Sequence, residues 1–146
     1  MGFEKKSRPA ARGARTTEQT IPNLIGTPLS MDQQDFDTDA MFTPTDTKIY
    51  AKRFSGYYLM IGCLGFSANN TGCREALIRV NGSTYIGGMC IPTQQNDVTV
   101  INIHSVWYMN VNDYAELLAI QTSGGNLTLV QTSYLNWFSI IHQSGR

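Results

Sequence analysis

Two segments of this chain are apolar on both sides of an extended backbone. One is Gly56-Tyr57-Tyr58-Leu59-Met60-Ile61-Gly62-Cys63-Leu64-Gly65-Phe66; the other is Asn112-Asp113-Tyr114-Ala115-Glu116-Leu117-Leu118-Ala119-Ile120. Successive side chains of a strand point to opposite faces, so a strand with one buried face alternates apolar and polar residues. A strand that is apolar on both faces needs cover on both. In a 146-residue chain one cover is the core, and the fitting second cover is another copy of the same chain. The sequence therefore reads as an oligomeric β building block.

The length suits one domain with one core. Charged residues make up 15% of the chain, low for a soluble monomer and common in β-rich assemblies. No apolar run reaches the ~18 residues needed to span a membrane as a helix. Basic residues near the N-terminus have no apolar stretch behind them, so no signal peptide is expected. Cys63, Cys73 and Cys90 have neither zinc spacing nor an even count, which suits reduced thiols in a protein made in a cytoplasm. Sequons at Asn69, Asn81 and Asn126 fit chance in a chain rich in Asn, Ser and Thr.

The zero net charge hides an asymmetry. Lys5, Lys6, Arg8, Arg12 and Arg15 stand against Glu4 alone in residues 1–16, and the remainder is acidic. Residues 1–20 lack apolar periodicity, and such a segment is expected to be disordered unless it lies on a partner. Ile21–Leu29, broken by Pro22, Gly26 and Pro28, suits an extended arm or edge strand. The expected organisation is a basic N-terminal docking arm over residues 1–30, carried by Phe3, Lys5, Lys6, Arg8, Arg12 and Arg15, and a β domain over residues 31–146.

From Lys48 onward strand-like runs alternate with turns. The expected strands are Lys48–Phe54, Tyr57–Phe66, Arg74–Val80, Ser83–Cys90, Val98–Met109, Tyr114–Thr122, Leu127–Thr132 and Tyr134–His142. Asn81-Gly82 is a strong hairpin signal, and Ser123-Gly124-Gly125-Asn126 is a further turn. No stretch has a helical period and nothing repeats, so the class is all-β, an antiparallel sandwich.

Chemistry is sparse. Asp32, Asp35, Asp37 and Asp39 lack the Gly and terminal Glu of a calcium loop and read as a solvated acidic turn. His104 and His142 have no nucleophile or carboxylate in a recognisable order. Glu75 and Glu116 sit on alternating strands, where an outward charge is routine, rather than forming a glycosidase pair. The basic arm lacks the aromatic interleaving of a nucleic-acid binder. Trp107, Trp137 and the tyrosines fall in strand patterns, as core or interface residues do. No cofactor, metal or catalytic residue is expected, and the chain does not read as an enzyme.

Gly56-Tyr57-Tyr58-Leu59, Gly72-Cys73-Arg74, Asn81-Gly82 and Asn112-Asp113-Tyr114-Ala115-Glu116-Leu117, taken in order, resemble the tumour necrosis factor and complement globular-head jelly roll. The resemblance is closer to its phage branch, through Phe36-Asp37-Thr38-Asp39-Ala40-Met41, Thr71-Gly72-Cys73-Arg74 and Ser123-Gly124-Gly125. It spans Ile21 to His142, and departs from the common pattern at Asn112, where a Gly is usual. The resemblance implies a homotrimeric jelly roll whose inner sheet faces a threefold axis. On that basis Leu59, Ile61, Cys63, Glu116, Leu118, Ile120, Trp137 and Ile141 would face neighbouring copies. Tyr58, Met60, Leu64, Phe66, Ala115, Leu117, Ala119, Phe138 and Ile140 would fill the sandwich. Cys63 near such an axis reads as a small buried hydrophobe rather than a metal ligand.

The function so implied is structural. The chain is expected on a bacteriophage virion assembled in the host cytoplasm, as a trimeric capsid decoration or head fibre protein docked through its arm to the major capsid protein or another virion protein. The alternatives are a tail-associated fibre or receptor-binding protein, with a host surface glycan as partner, and a stand-alone carbohydrate-binding module.

Overall fold

The computed structural model describes residues 7–144. In chain order the strands are β1 (Ala10–Ala14), β2 (Gln19–Ile21), β3 (Thr27–Pro28), β4 (Gln33–Asp37), β5 (Ile49–Tyr50) and β6 (Gly56–Phe66). There follow β7 (Cys73–Val80), β8 (Thr84–Pro92), β9 (Thr99–Met109), β10 (Tyr114–Gln121), β11 (Leu127–Leu129) and β12 (Trp137–Ser144). No helix occurs among the described residues, and all pairings are antiparallel.

The strands form two sheets. In the first, β6 has β9 along one side and β12 followed by β11 along the other; β1 and β4 continue beyond β12, and β2 beyond β11. The second sheet places β10 between β7 and the short strands β3 and β5, with β8 as its far edge. Two antiparallel sheets sharing one core are a jelly-roll sandwich. Tyr58, Met60, Leu64, Phe66, Phe138 and Ile140 enter that core from the first sheet. Ala76, Ile78, Val80, Ala115, Leu117 and Ala119 enter it from the second.

Alternation explains β7: Arg74, Ala76, Ile78 and Val80 are buried, and Glu75, Leu77 and Arg79 turn outward. Its turn into β8 is carried by Asn81 and Gly82 with φ of 52° and 71°. Positive φ at both central residues matches the twist of a tight hairpin, which is why Asn-Gly serves there. Asn112 likewise holds φ 75°, the conformation that Asn accepts in place of Gly.

The expected 1–30 arm is not separate from the fold over its described part. Ala10–Ala14 lies between β12 and β4, with Ala11 and Ala14 fully buried. The physical reason is size: a Cβ on Gly13 would meet Met31 Cβ and Phe42 Cζ at 3.0 Å, so small residues fit this slot. Residues 10–21 are therefore ordered on their own chain rather than awaiting a partner. Phe3, Lys5 and Lys6 lie outside the described residues.

Other boundaries shift modestly. The expected Lys48–Phe54 strand contracts to Ile49–Tyr50, Leu127–Thr132 to Leu127–Leu129, and the last strand starts at Trp137 rather than Tyr134. Part of the expected acidic turn is a strand, β4, and the acids of this region have separate tasks. Asp35 pairs with Arg12 and Asp39 with Arg53, while Asp37 accepts the Met41 and Phe42 amides at 2.9 and 3.0 Å.

Candidate self-association surface

The outer face of the first sheet is set by the register of three strands. Leu59 sits opposite Val106 on one side and Ile141 on the other. Two residues away in either direction, Ile61 lies between His104 and Ser139, and Tyr57 opposes Tyr108. Directly opposed residues share a face, so these side chains form one contiguous surface. Leu59, Ile61 and Ile141 are half-buried within the chain, whereas Val106 is 54% exposed, and Tyr57 and Tyr108 meet edge to face at 5.4 Å between ring centroids while remaining in solvent.

At the other end of this face Cys63 opposes Trp137. Arg12 lies 4.0 Å over the Trp137 ring and donates to Asp35 at 2.9 Å, and Trp137 Nε1 donates to the Tyr134 carbonyl. Cys63 is buried here within a single chain; burial pushes its thiol up, with the Arg12 charge pulling the other way. A protonated, enclosed thiol packs as a small hydrophobe, and no group of three or more metal-ligating side chains occurs among the described residues.

A second apolar surface lies where the two sheets meet at their edges. Among the described residues β8 has only β7 as a strand partner, and β9 only β6. The edges lean together: Ser105 Oγ donates to the Ile86 carbonyl at 2.8 Å, and a Cβ on Gly87 would stand 3.3 Å from Ser105 Cβ. A register shift between Ile78 and Arg79 marks the bulge by which β8 bends at its glycines. Tyr85 and Met89 of β8, with Val106 and Trp107 of β9, are left exposed along this edge. Trp107 is in register with Tyr58, and Met89 with Ala76, both core-facing, yet each opens to solvent at the sandwich rim.

The structure divides the eight expected interface residues. Leu59, Ile61, Cys63, Trp137 and Ile141 share the outer face of the first sheet. Glu116, Leu118 and Ile120 do not join them, because β10 belongs to the second sheet. Glu116 and Leu118 are buried by their own chain. Glu116 accepts from Thr47 Oγ1 at 2.7 Å and Arg79 Nη2 at 3.0 Å. Leu118 and Ile120 lie under Gly26, whose segment is tied down by the bonds Leu24 N to Gln121 O and Leu29 N to Leu117 O. Sequence reading missed Val106, Tyr108, Tyr85 and Met89. A both-face apolar pattern was visible in Tyr57–Phe66, but the partner strand that extends this face is fixed only by long-range pairing.

Of the expected arm cations, Arg12 and Arg15 are engaged within the chain. Arg15 donates to the carbonyls of Thr17, Glu18 and Ser30. Arg8 is exposed. Glu75 opposes Ile120 while Glu116 opposes Arg79. Four residues of strand, ~13 Å, separate these acids, beyond the roughly 5–9.5 Å of glycosidase pairs. His142 packs on Tyr58 and Phe54, and its Nε2 lies 3.4 Å from the Ser55 carbonyl.

No protein-family model matches the chain, and no curated protein sequence does. Solved structures do. Murine APRIL at pH 5.0 superposes with a TM-score of 0.73 at 8% identity, over 93% of this chain and 99% of that one. The globular domain of zebrafish complement 1qA protein gives 0.66 at 11% identity, over 94% and 99%. Eiger TNF from S. frugiperda gives 0.69 at 8% identity, over 97% and 96%. The fold is the tumour necrosis factor and complement globular-head jelly roll. At these identities the likeness speaks for the fold alone.

Proposed function

We propose that this chain is a non-enzymatic structural protein that assembles as a homotrimer, the outer face of the first sheet in one copy receiving the β8–β9 edge of the next. The observation that carries this is the coexistence on one subunit of a contiguous apolar face and an apolar edge. Patches of this kind, ringed by polar residues, mark association sites. A face meeting a different surface of the next copy is a heterologous contact, which closes into a ring when its rotation closes. The match in fold to tumour necrosis factor and complement heads supports three as the closing number.

Within this reading the trimer is a capsid decoration or head fibre protein of a bacteriophage virion. Its support is the sequence likeness at Phe36–Met41, Thr71–Arg74 and Ser123–Gly125. The docking element narrows to the residues before Pro9, whose carbonyl accepts from His142 N at 2.9 Å and so ties that point to the end of β12. Lys5, Lys6 and Arg8 are the cations left for docking.

The test has two parts. Leu59→Asp, on the face, and Met89→Asp, on the edge, are each expected to reduce the assembly to monomers while keeping the β spectrum. If both variants assemble as the parent does, the face-to-edge contact is wrong. For the virion role, Lys5→Gln/Lys6→Gln/Arg8→Gln should form trimers that no longer cosediment with capsid shells lacking the protein. Undiminished binding would dismiss the basic residues as the dock.

A further inference from the structure

We propose that His104 is a proton-operated switch of self-association, one that releases the next copy from the outer face of the first sheet as pH falls below neutrality. The switch acts on the face-to-edge contact proposed above and rests on that reading. Strands β6, β8, β9 and β12, which supply the face and the edge, contain no Asp, Glu, Lys or Arg. By contrast β1, β4, β7 and β10 each carry at least one. The contact is therefore free of formal charge, and in its four strands only His104 and His142 can gain one near neutral pH.

The two histidines are placed differently. His142 is opposite Tyr58, whose side chain enters the core, and is buried by its own chain. His104 is opposite Ile61 and exposed, so it stands on the outer face two residues from Val106. One row runs His104, Ile61, Ser139, Arg12 across β9, β6, β12 and β1. Arg12 is three strand spacings away, ~14 Å, and it already donates to Asp35 at 2.9 Å. That leaves the face no free carboxylate, among the described residues, to hold a protonated His104. Tyr57, Tyr108 and Cys63, the other titratable groups of the face, gain no charge on acidification. Behind β9, β8 brings Tyr85 and Cys90, and β7 brings Cys73, Arg74, Glu75 and Arg79. Arg74 is enclosed and held by carbonyls, while Glu75 and Arg79 turn to the far side of the second sheet.

Covering His104 with the next copy removes it from water. Burial disfavours the charged form of a histidine. The incoming edge, with Tyr85, Met89, Val106 and Trp107 exposed along it, brings no anion to offset that cost. The assembly therefore favours neutral His104, whereas the free subunit accepts either form. Association is at full strength where histidine is neutral and weakens as pH falls through the range in which histidine takes up its proton. One histidine in each of three subunits, kept neutral at one pH unit below the ordinary histidine value, raises the trimer dissociation constant by about a thousandfold.

The test is sedimentation velocity of the full chain over a concentration series at about pH 7.5 and about pH 5.5, with circular dichroism of the same samples. The expected result is a trimer at the higher pH whose dissociation constant rises about a thousandfold at the lower one, the β spectrum being kept. His104→Gln, neutral at both, should assemble equally well at both. His104→Lys, charged at both, should associate as weakly at the higher pH as the parent does at the lower. A parent trimer equally tight at both values overturns the switch and leaves the face-to-edge contact standing. A parent that is monomeric at the higher pH overturns that contact, and the switch with it. If His104→Gln dissociates at the lower pH as the parent does, or if the β spectrum is lost there, another group or acid unfolding is responsible and the switch is overturned.

Discussion

At the scale of single residues, most polar groups buried by this fold are matched to backbone partners, Glu116 with its Thr47 and Arg79 side chains being an exception. Arg74 faces the core side of β7 at the rim of the sandwich, fully enclosed. It donates to the carbonyls of Asn69, Thr71 and Cys73 and to Thr93 Oγ1, while its Nε has no partner. Arg74→Ala strands those carbonyls and opens a cavity, so denaturant unfolding should show a loss of ~3 kcal/mol. Tyr58 donates to the Phe54 carbonyl at 2.6 Å, and burial pushes its phenol up to about 12 from 10.0. A raised tyrosine pKa contributes stability that is complete below the unfolded value and lost as pH rises through the folded one. Stability should therefore fall between pH 10 and about 12, a slope that Tyr58→Phe removes from a pH series of melts. Asp32 runs the other way. Burial raises it, but the Thr16 amide, the Thr17 and Thr16 hydroxyls and Arg15 together hold it below its usual 3.8. Its contribution is present above that value and drains as pH falls through the lower folded one. Asp32→Asn should flatten the acid limb of the same series.

At the scale of elements, turns and bulges decide where the strands end. Gly72 holds φ +76° beside the Thr122 carbonyl, which a methyl group would overlap. Gly72→Ala should cost more than ~3 kcal/mol and lower the melting temperature by 10 °C or so, whereas Gly125→Ala, with open space around it, should cost little. The long strands β6, β7, β9 and β10 were legible in the sequence because alternation and β-branched runs are local signals. Asn81-Gly82 was legible because few residues adopt its dihedrals. β1 was not. Ala10-Ala11-Arg12-Gly13-Ala14 has little apolar weight, and only the tight slot beneath Met31 and Phe42 explains why small residues form a strand there. The same limit misled the reading of β10. Its outer face is apolar because Gly26 and the segment around it cover that face, an in-chain cover that sequence alone does not separate from a neighbouring copy.

At the scale of the whole molecule, the β6–β9–β12 face and the β8–β9 edge both carry exposed apolar side chains among the described residues. A long apolar sheet edge left bare in water is an aggregation liability, and the proposed ring of identical copies would remove it by placing each edge on the next face. Removing residues 1–30 would take β1 from between β12 and β4, so loss of assembly would report unfolding. A chain beginning at Ser7 leaves β1 intact and is expected to form the same trimer as the full chain. Light scattering on the full chain gives the solution mass, and with it the number of copies in the assembly. A homotrimer predicts three times the 16.2 kDa chain mass, falling to one chain mass in Leu59→Asp. A monomeric parent at micromolar concentration would contradict it.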